Sequence, residues 1–158
     1  TMEDLLLWSK SQMQQFTPQL ENVNITAIVE KELSLLNQLV KQKSVLIDTD
    51  VQSRFFQKTD ENFITVVIRN LLQNAVKYSD YGSTVDIRND SENLFISNQS
   101  SEITADRLNE ILKNTEVNSK SSGLGLQIVK DLASVIRIKI KFLQQDKDRI
   151  LSVINWTV

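Results

Sequence analysis

The sequence predicts an α+β fold, a two-layer α/β sandwich whose mostly antiparallel mixed sheet is covered by three helices. Three observations carry this expectation. Residues 60–78 are apolar over most of a helical surface and keep one polar stripe. Residues 136–143 alternate Ile136, Ile138, Ile140 and Phe142 with Arg137, Lys139 and Lys141, the period of a half-buried strand. Two further strand-like runs, 84–88 and 93–97, flank the polar loop Asn89-Asp90-Ser91-Glu92 in the manner of a hairpin.

The elements follow in chain order. Over residues 2–16, Leu5, Leu6, Trp8, Met13 and Phe16 fit a helix loosely, and Pro18 stops it. This segment is either an N-terminal arm or the end of a longer helix from a neighbouring domain. Residues 23–25 read as a connector or edge strand, and Asn24 or Thr26 can cap the next helix. That helix spans 28–43, where Ile28, Val29, Leu33, Leu35, Leu36, Leu39 and Val40 recur at helical spacing. Residues 45–47 form a short strand bounded by Asp48 and Asp50. Asp60 caps the long helix over 60–78; its β-branched residues admit a strand in the first half, and length decides for the helix. Tyr81-Gly82-Ser83 is a turn. Leu108, Ile111 and Leu112 mark a short helix over 104–112, followed by a polar loop over 113–122 and a helix over 123–135. The chain turns at 144–148 and returns over 150–158 as the last strand.

Composition narrows the function. The chain has 158 residues, 41% hydrophobic and 24% charged, with a net charge of -2, as expected of one ordinary globular domain. That charge balance offers no broad basic footprint for nucleic acid. No apolar run approaches the ~20 residues that span a bilayer, and no signal-peptide pattern is present, so no membrane contact is expected of this segment. Cysteine is absent, which excludes disulfides and thiolate metal sites. Histidine is absent too, which excludes Ser-His-Asp chemistry, zinc-histidine sites and a phosphorylatable histidine of the chain's own. The sequence opens at Thr1-Met2 with a helical pattern under way, so a fragment of a longer protein is expected.

Two features carry chemistry. The chain has three glycines, where average usage of about 7% would give roughly eleven, and two of them stand in Ser121-Ser122-Gly123-Leu124-Gly125-Leu126 at a helix entrance. A helix N-terminus offers unpaired N–H groups and the positive end of its dipole, and glycine lets a bulky anion approach. The arrangement suits phosphate; it also suits a plain turn. The second feature is the stripe Arg69, Asn70, Gln73, Asn74, Lys77, in which Asn70, Asn74 and Lys77 share a narrow sector. Amide oxygens are hard ligands suited to Mg²⁺, and Lys77 is a point charge for phosphates. The same stripe also describes the solvent face of an amphipathic helix.

Taken together, the two features resemble a known family. Asn70-Leu71-Leu72-Gln73-Asn74-Ala75-Val76-Lys77-Tyr78-Ser79 resembles the asparagine box of sensor histidine kinases, and 121–126 resembles their second glycine box. Order and separation match, and Leu6-Leu7-Trp8-Ser9 is similar to the end of the family's dimerisation helix. The resemblance implies the Bergerat-type ATP-binding sandwich, shared with gyrase and heat-shock chaperone ATPases. It implies that residues 1–20 are the end of a dimerisation helix and linker and that 21–158 are the ATP-binding catalytic domain. It implies ATP and Mg²⁺ as ligands, with Asn74 on the metal, Asn70 beside it, Lys77 at the phosphates and Tyr78 at the adenine. Ser122, Gly123, Leu124, Gly125 and Leu126 would close over the phosphates. The implied partners are the protein's own histidine-bearing dimerisation domain and a response regulator receiver domain, in a cytoplasmic setting and a full-length homodimer, the parent protein being either free or membrane-anchored.

The first glycine box departs from the family pattern Asp-Asn-Gly-any-Gly-Ile. Here it reads Asn98-Gln99-Ser100-Ser101-Glu102-Ile103. Asn98 replaces the carboxylate that accepts from the adenine amino group, Ser100 and Glu102 replace both glycines, and Ile103 keeps its place. Two functions follow: a catalytic module that transfers the ATP γ-phosphate to a histidine outside this segment, or a degenerate domain kept as a signalling scaffold. Hydrolytic relatives carry Glu where Asn70 stands, and an amide is no general base, which favours the kinase over an ATPase.

Overall fold

The computed structural model describes residues 2–11, 17–113 and 122–157. Its elements are α1 (Met2–Ser11), β1 (Glu21–Asn24), α2 (Ile25–Leu35), α3 (Asn37–Gln42), β2 (Leu46–Asp50), β3 (Phe56–Thr59), α4 (Glu61–Tyr78), β4 (Thr84–Asn89), β5 (Asn93–Gln99), α5 (Ala105–Lys113), α6 (Ser122–Ile136), β6 (Lys139–Gln144) and β7 (Arg149–Asn155). Five strands form one sheet in the order β2-β4-β5-β7-β6. β2 runs parallel to β4, and the other neighbours are antiparallel. This is the mixed, mostly antiparallel sheet the sequence predicts.

Helices cover one face of that sheet. Ile64, Ile68, Leu71 and Leu72 of α4, with Val129 and Leu132 of α6, are buried in the same core as Val85, Ile87, Leu94, Ile96, Ile150 and Ile154 of the strands. Burying apolar side chains at roughly 25 cal/mol per Å² is the main force holding the two layers together. Asp60 caps α4, its Oδ1 accepting from the Phe63 amide at 3.1 Å, and Asn24 caps α2 by accepting from Ala27 at 3.1 Å. Thr26, the other cap candidate, instead donates its hydroxyl to the Gln52 carbonyl at 2.6 Å.

Several elements differ from the expectation. The helix expected over 28–43 breaks at Leu36, whose φ of -93° and ψ of 3° divide α2 from α3. No glycine or proline marks this break; the turn sets Leu36 into the core and leaves Leu35 exposed. Strand β3 went unrecognised, although it pairs antiparallel with β1 from Glu21↔Thr59 to Asn24↔Phe56. The strand expected from Ile136 begins at Lys139, because α6 runs on to Ile136. Arg137 then adopts φ 58°, and the Ile138 amide donates back to the Ala133 carbonyl at 3.0 Å. That is a Schellman ending built without glycine. The first helix is described to Ser11, and the rest of its expected span, residues 12–16, lies outside the described residues.

Helix α1 packs against α6 and α4. Trp8 Nε1 donates to Asp131 Oδ2 of α6 at 2.7 Å, and Arg69 of α4 binds Asp4 Oδ1 at 2.6 Å. At the far edge, Asn109 of α5 bonds the Phe142 backbone at both its N–H and its carbonyl. This side chain covers the open side of edge strand β6 as a neighbouring strand would.

Candidate functional site

Helix α4 carries Asn70 near its middle and Asn74, Lys77 and Tyr78 in its last turns. The buried Asn70 amide donates through Nδ2 to the Val66 carbonyl at 2.8 Å. Its Oδ1 faces α6, where a Cβ placed on Gly125 would stand only 3.1 Å away. Gly125 therefore serves close approach rather than an unusual backbone angle. Asn70 of the stripe and Gly125 of the glycine pair thus meet directly, and the notion of a purely solvent-facing stripe does not hold for Asn70. Asn74, one turn on, is half-buried, and its side chain makes no hydrogen bond among the described residues. Lys77 is exposed, with Nζ 5.4 Å from the centroid of the half-buried Tyr78 ring. The Lys43 ammonium donates to the Lys77 carbonyl at the C-terminal end of α4.

The 98–103 segment is fastened behind that end. The Asp80 amide donates to the Gln99 carbonyl at 2.8 Å, and Asp80 Oδ1 accepts from the Ser101 amide at 2.9 Å and its hydroxyl at 2.7 Å. The bond from the Ser101 amide, with help from its hydroxyl, lowers the Asp80 carboxyl from the usual value of 3.8. Ser100 is buried, and its Oγ accepts from the Glu102 and Ile103 amides at 3.2 and 3.3 Å. A side-chain cap thus stands where the family pattern has glycine. Asn98 shares the helix-facing side of β5 with Leu94 and Ile96 and is only 4% exposed. No hydrogen bond engages its side chain among the described residues. Ile103 is half-buried against the core.

Of Ser122, Gly123 and Leu124 only the helical backbone is described, as the first turn of α6; Leu126 is buried. Ser121 lies outside the described residues.

One member of the stripe belongs elsewhere. Arg69 binds Glu32 through Nε at 3.2 Å and through Nη2 at 3.1 Å, and Asp4 through Nη1. Hydrogen bonding to Glu32 raises the Arg69 pKa above its usual value. Glu32, only 2% exposed, interrupts the apolar face of α2, a signal the sequence offered and the reading of apolar spacing passed over. A second network lies on the open face of the sheet, where Arg149 reaches Asp86 and Ser97 beside a cleft of about 450 Å³. That cleft is lined by none of the candidate residues.

Among the described residues there is no cluster of three or more acidic, cysteine or histidine groups that could hold a metal ion. No described helix is long and apolar enough to cross a membrane. What the structure brings together is the Asn70 amide oxygen and Gly125 in the opening turn of α6, with Asn74 and Lys77 farther along α4. Amide oxygens, a lysine and a helix N-terminus are the groups that could hold a polyphosphate with a hard divalent cation, and position 70 carries no carboxylate to activate water.

Comparison with known proteins identifies the family. The family model for histidine kinase-, DNA gyrase B-, and HSP90-like ATPases matches residues 59–153. The sensor protein QseC of Escherichia coli strain K12 is 28% identical over 97 residues, 59% of this chain and 22% of that protein. The heme sensor protein HssS of Staphylococcus aureus strain Newman is 31% identical over 130 residues, 71% of this chain and 28% of that protein. The chain therefore spans about a quarter of the length of the curated relatives it matches. Among solved structures, the Acinetobacter baumannii histidine kinase AdeS superposes with a TM-score of 0.72 at 24% identity, covering 97% of this chain and 74% of that one. Full-length ShkA in complex with AMPPNP superposes with a TM-score of 0.74 at 17% identity, covering 96% and 34%. These structural likenesses speak for the fold.

Proposed function

This chain belongs to the family of histidine kinase-, DNA gyrase B- and HSP90-like ATPases, and we propose that it is the ATP-binding catalytic unit of a sensor histidine kinase. On this reading residues 21–158 are the catalytic domain, and 1–20 end the dimerisation helix that leads into it. The supporting observation is the close packing of Gly125 against the fixed amide of Asn70. It sets the first turn of α6 beside the polar stripe of α4.

The residues present fit Mg²⁺-ATP. Among the described residues Asn74 has a half-buried amide with no hydrogen-bond partner, and Asn98 a buried one. Bound Mg²⁺-ATP supplies the transferable γ-phosphoryl group and the cation that offsets its charge. Asn74 offers a hard oxygen to the cation, and Asn70, held by Val66, keeps α6 in register beside it. Lys77 adds positive charge at the phosphates. The unpaired amides that open α6 at residues 122–125 would offer the phosphates N–H donors and the positive end of the helix dipole. Tyr78, Asn98 and Ile103 would border the base. With an amide at position 70 the site orients and neutralises without deprotonating water, which favours transfer to a histidine. That histidine belongs to the dimerisation domain, and a response regulator receives the phosphoryl group in turn. The setting is a cytoplasmic segment of a homodimeric protein.

One observation favours a second reading. Ser100 is buried and capped in the place of a box glycine, as expected if the domain has become a scaffold with little nucleotide affinity. Asn74→Ala in a longer protein that carries the histidine-bearing helix separates the two. A kinase loses autophosphorylation with this substitution; a scaffold signals as before.

A further inference from the structure

We infer that the cleft on the open face of the sheet binds a free α-amino acid with an apolar side chain. Its volume of about 450 Å³ falls in the range of small-molecule sites, roughly 300–1,000 Å³. The inference is independent of the nucleotide reading, because none of the residues assigned to a nucleotide lines this cleft. The floor follows from the register. Asp86 of β4, Ser97 of β5 and Leu151 of β7 stand side by side in one row, and Phe95 of β5 stands in the next. Side chains alternate across a strand, so these four face away from the helices, while Ile87, Leu94 and Ile96 are buried on the other side.

The fold itself holds the polar groups of the cleft in place. The buried Ser97 Oγ accepts from Arg149 Nε at 2.9 Å and donates to Gln145 Oε1 at 2.7 Å. Arg149 Nη2 is spent on the Asp86 carboxylate and the Thr84 carbonyl. One hydroxyl thus orients two side chains, and Arg149 Nη1 and Gln145 Nε2 are left with no hydrogen-bond partner among the described residues. Both atoms only donate, so their complement is an acceptor, and a carboxylate accepts several N–H groups at once. Asp146 has the opposite need. Asp86 offsets the charge of Arg149, and Asp48 and Asp50 that of Arg88. Asp146 lines the same cleft with no ion-pair partner among the described residues; its Oδ1 accepts from the Asp148 amide at 3.1 Å. A simple anion would meet this carboxylate unfavourably, and a simple cation would meet Arg149. A molecule with both a carboxylate and an ammonium suits Arg149, Gln145 and Asp146 together. Half-buried Phe95 and Leu151 offer apolar surface to its third part, the side chain.

The test is amide NMR of this chain titrated with phenylalanine, with phenylacetate, which lacks the ammonium, and with phenethylamine, which lacks the carboxylate. The inference expects saturable shifts centred on Phe95, Ser97, Gln145 and Leu151, with a dissociation constant of about 1 mM for so small a ligand. It expects each truncated ligand to bind about tenfold or more weakly, the usual effect of losing a charge-assisted hydrogen bond. Asp146→Asn and Gln145→Ala change exposed positions of the 144–148 turn, and each should weaken phenylalanine by about fivefold or more. No saturable shift at about 10 mM phenylalanine, or shifts centred away from the cleft, overturns the inference. Binding of phenylacetate or phenethylamine as tight as that of phenylalanine overturns it too, as does undiminished binding by both variants. The comparison of the three ligands on the wild type decides without the variants, should these not fold.

Discussion

Gly125→Ala probes the closest contact in the site. At most helix positions this change stabilises a protein by up to about 1 kcal/mol, because alanine loses less backbone entropy. Here the new methyl group would stand 3.1 Å from Asn70 Oδ1. That oxygen cannot retreat freely, since Asn70 is buried and its Nδ2 holds the Val66 carbonyl at 2.8 Å. Displacing it weakens that hydrogen bond, worth about 1 kcal/mol, or pushes α6 outward, an overpacking cost of about 1–3 kcal/mol. The net expectation is a loss of about 1 kcal/mol. Asn70→Ala removes the obstructing oxygen, so the same glycine change in that background should stabilise by up to about 1 kcal/mol. The double-mutant cycle therefore predicts a coupling of about 2 kcal/mol between positions 70 and 125. Urea unfolding followed by tryptophan fluorescence measures all four stabilities. Equal stabilisation by Gly125→Ala in both backgrounds would refute the argument, because it would mean that the two helices are not in close contact there.

Two other outcomes follow from the charged networks. Arg69→Met leaves the buried Glu32 carboxylate without its bidentate cation, and unfolding free energy should fall by about 3–5 kcal/mol in urea titrations; a loss under about 1 kcal/mol would show the clamp to be idle. Asp80 titrates below 3.8 in the folded chain because the Ser101 amide and hydroxyl bond its charged form. A depressed carboxylate stabilises the fold above its unfolded pKa, and that contribution is lost as pH falls through the folded value. Thermal midpoints should therefore decline below about pH 4, and Asp80→Asn should flatten that decline; equal slopes would count against it.

What could be read without coordinates was what has a period or a cap. Asp60 before an apolar run announced α4, and the alternation of Ile138, Ile140 and Phe142 announced β6. The candidate residues of the site were legible because Asn70 and Asn74 repeat at one helical turn and two glycines cluster in a glycine-poor chain. What escaped lacks local marks. β3 is a strand only because β1 lies opposite it, and its residues Phe56, Gln57, Lys58 and Thr59 show no core of their own. The break at Leu36 and the αL ending at Arg137 occur without glycine or proline, so tertiary packing decides them. Arg69 looked like one more residue of a polar stripe, since its partners Glu32 and Asp4 are 37 and 65 residues away in sequence. The contact between Gly125 and Asn70 is likewise a fact of helix packing, which order and spacing along the chain do not contain.

The most direct measurement is isothermal titration of this chain with a non-hydrolysable ATP analogue and Mg²⁺, repeated for Asn74→Ala. If the amide and lysine face of α4 and the mouth of α6 hold a nucleotide, the wild type shows saturable heat below millimolar ligand. The variant then binds at least about tenfold more weakly. No saturable heat from the wild type at millimolar ligand, or equal binding by Asn74→Ala, would contradict the account.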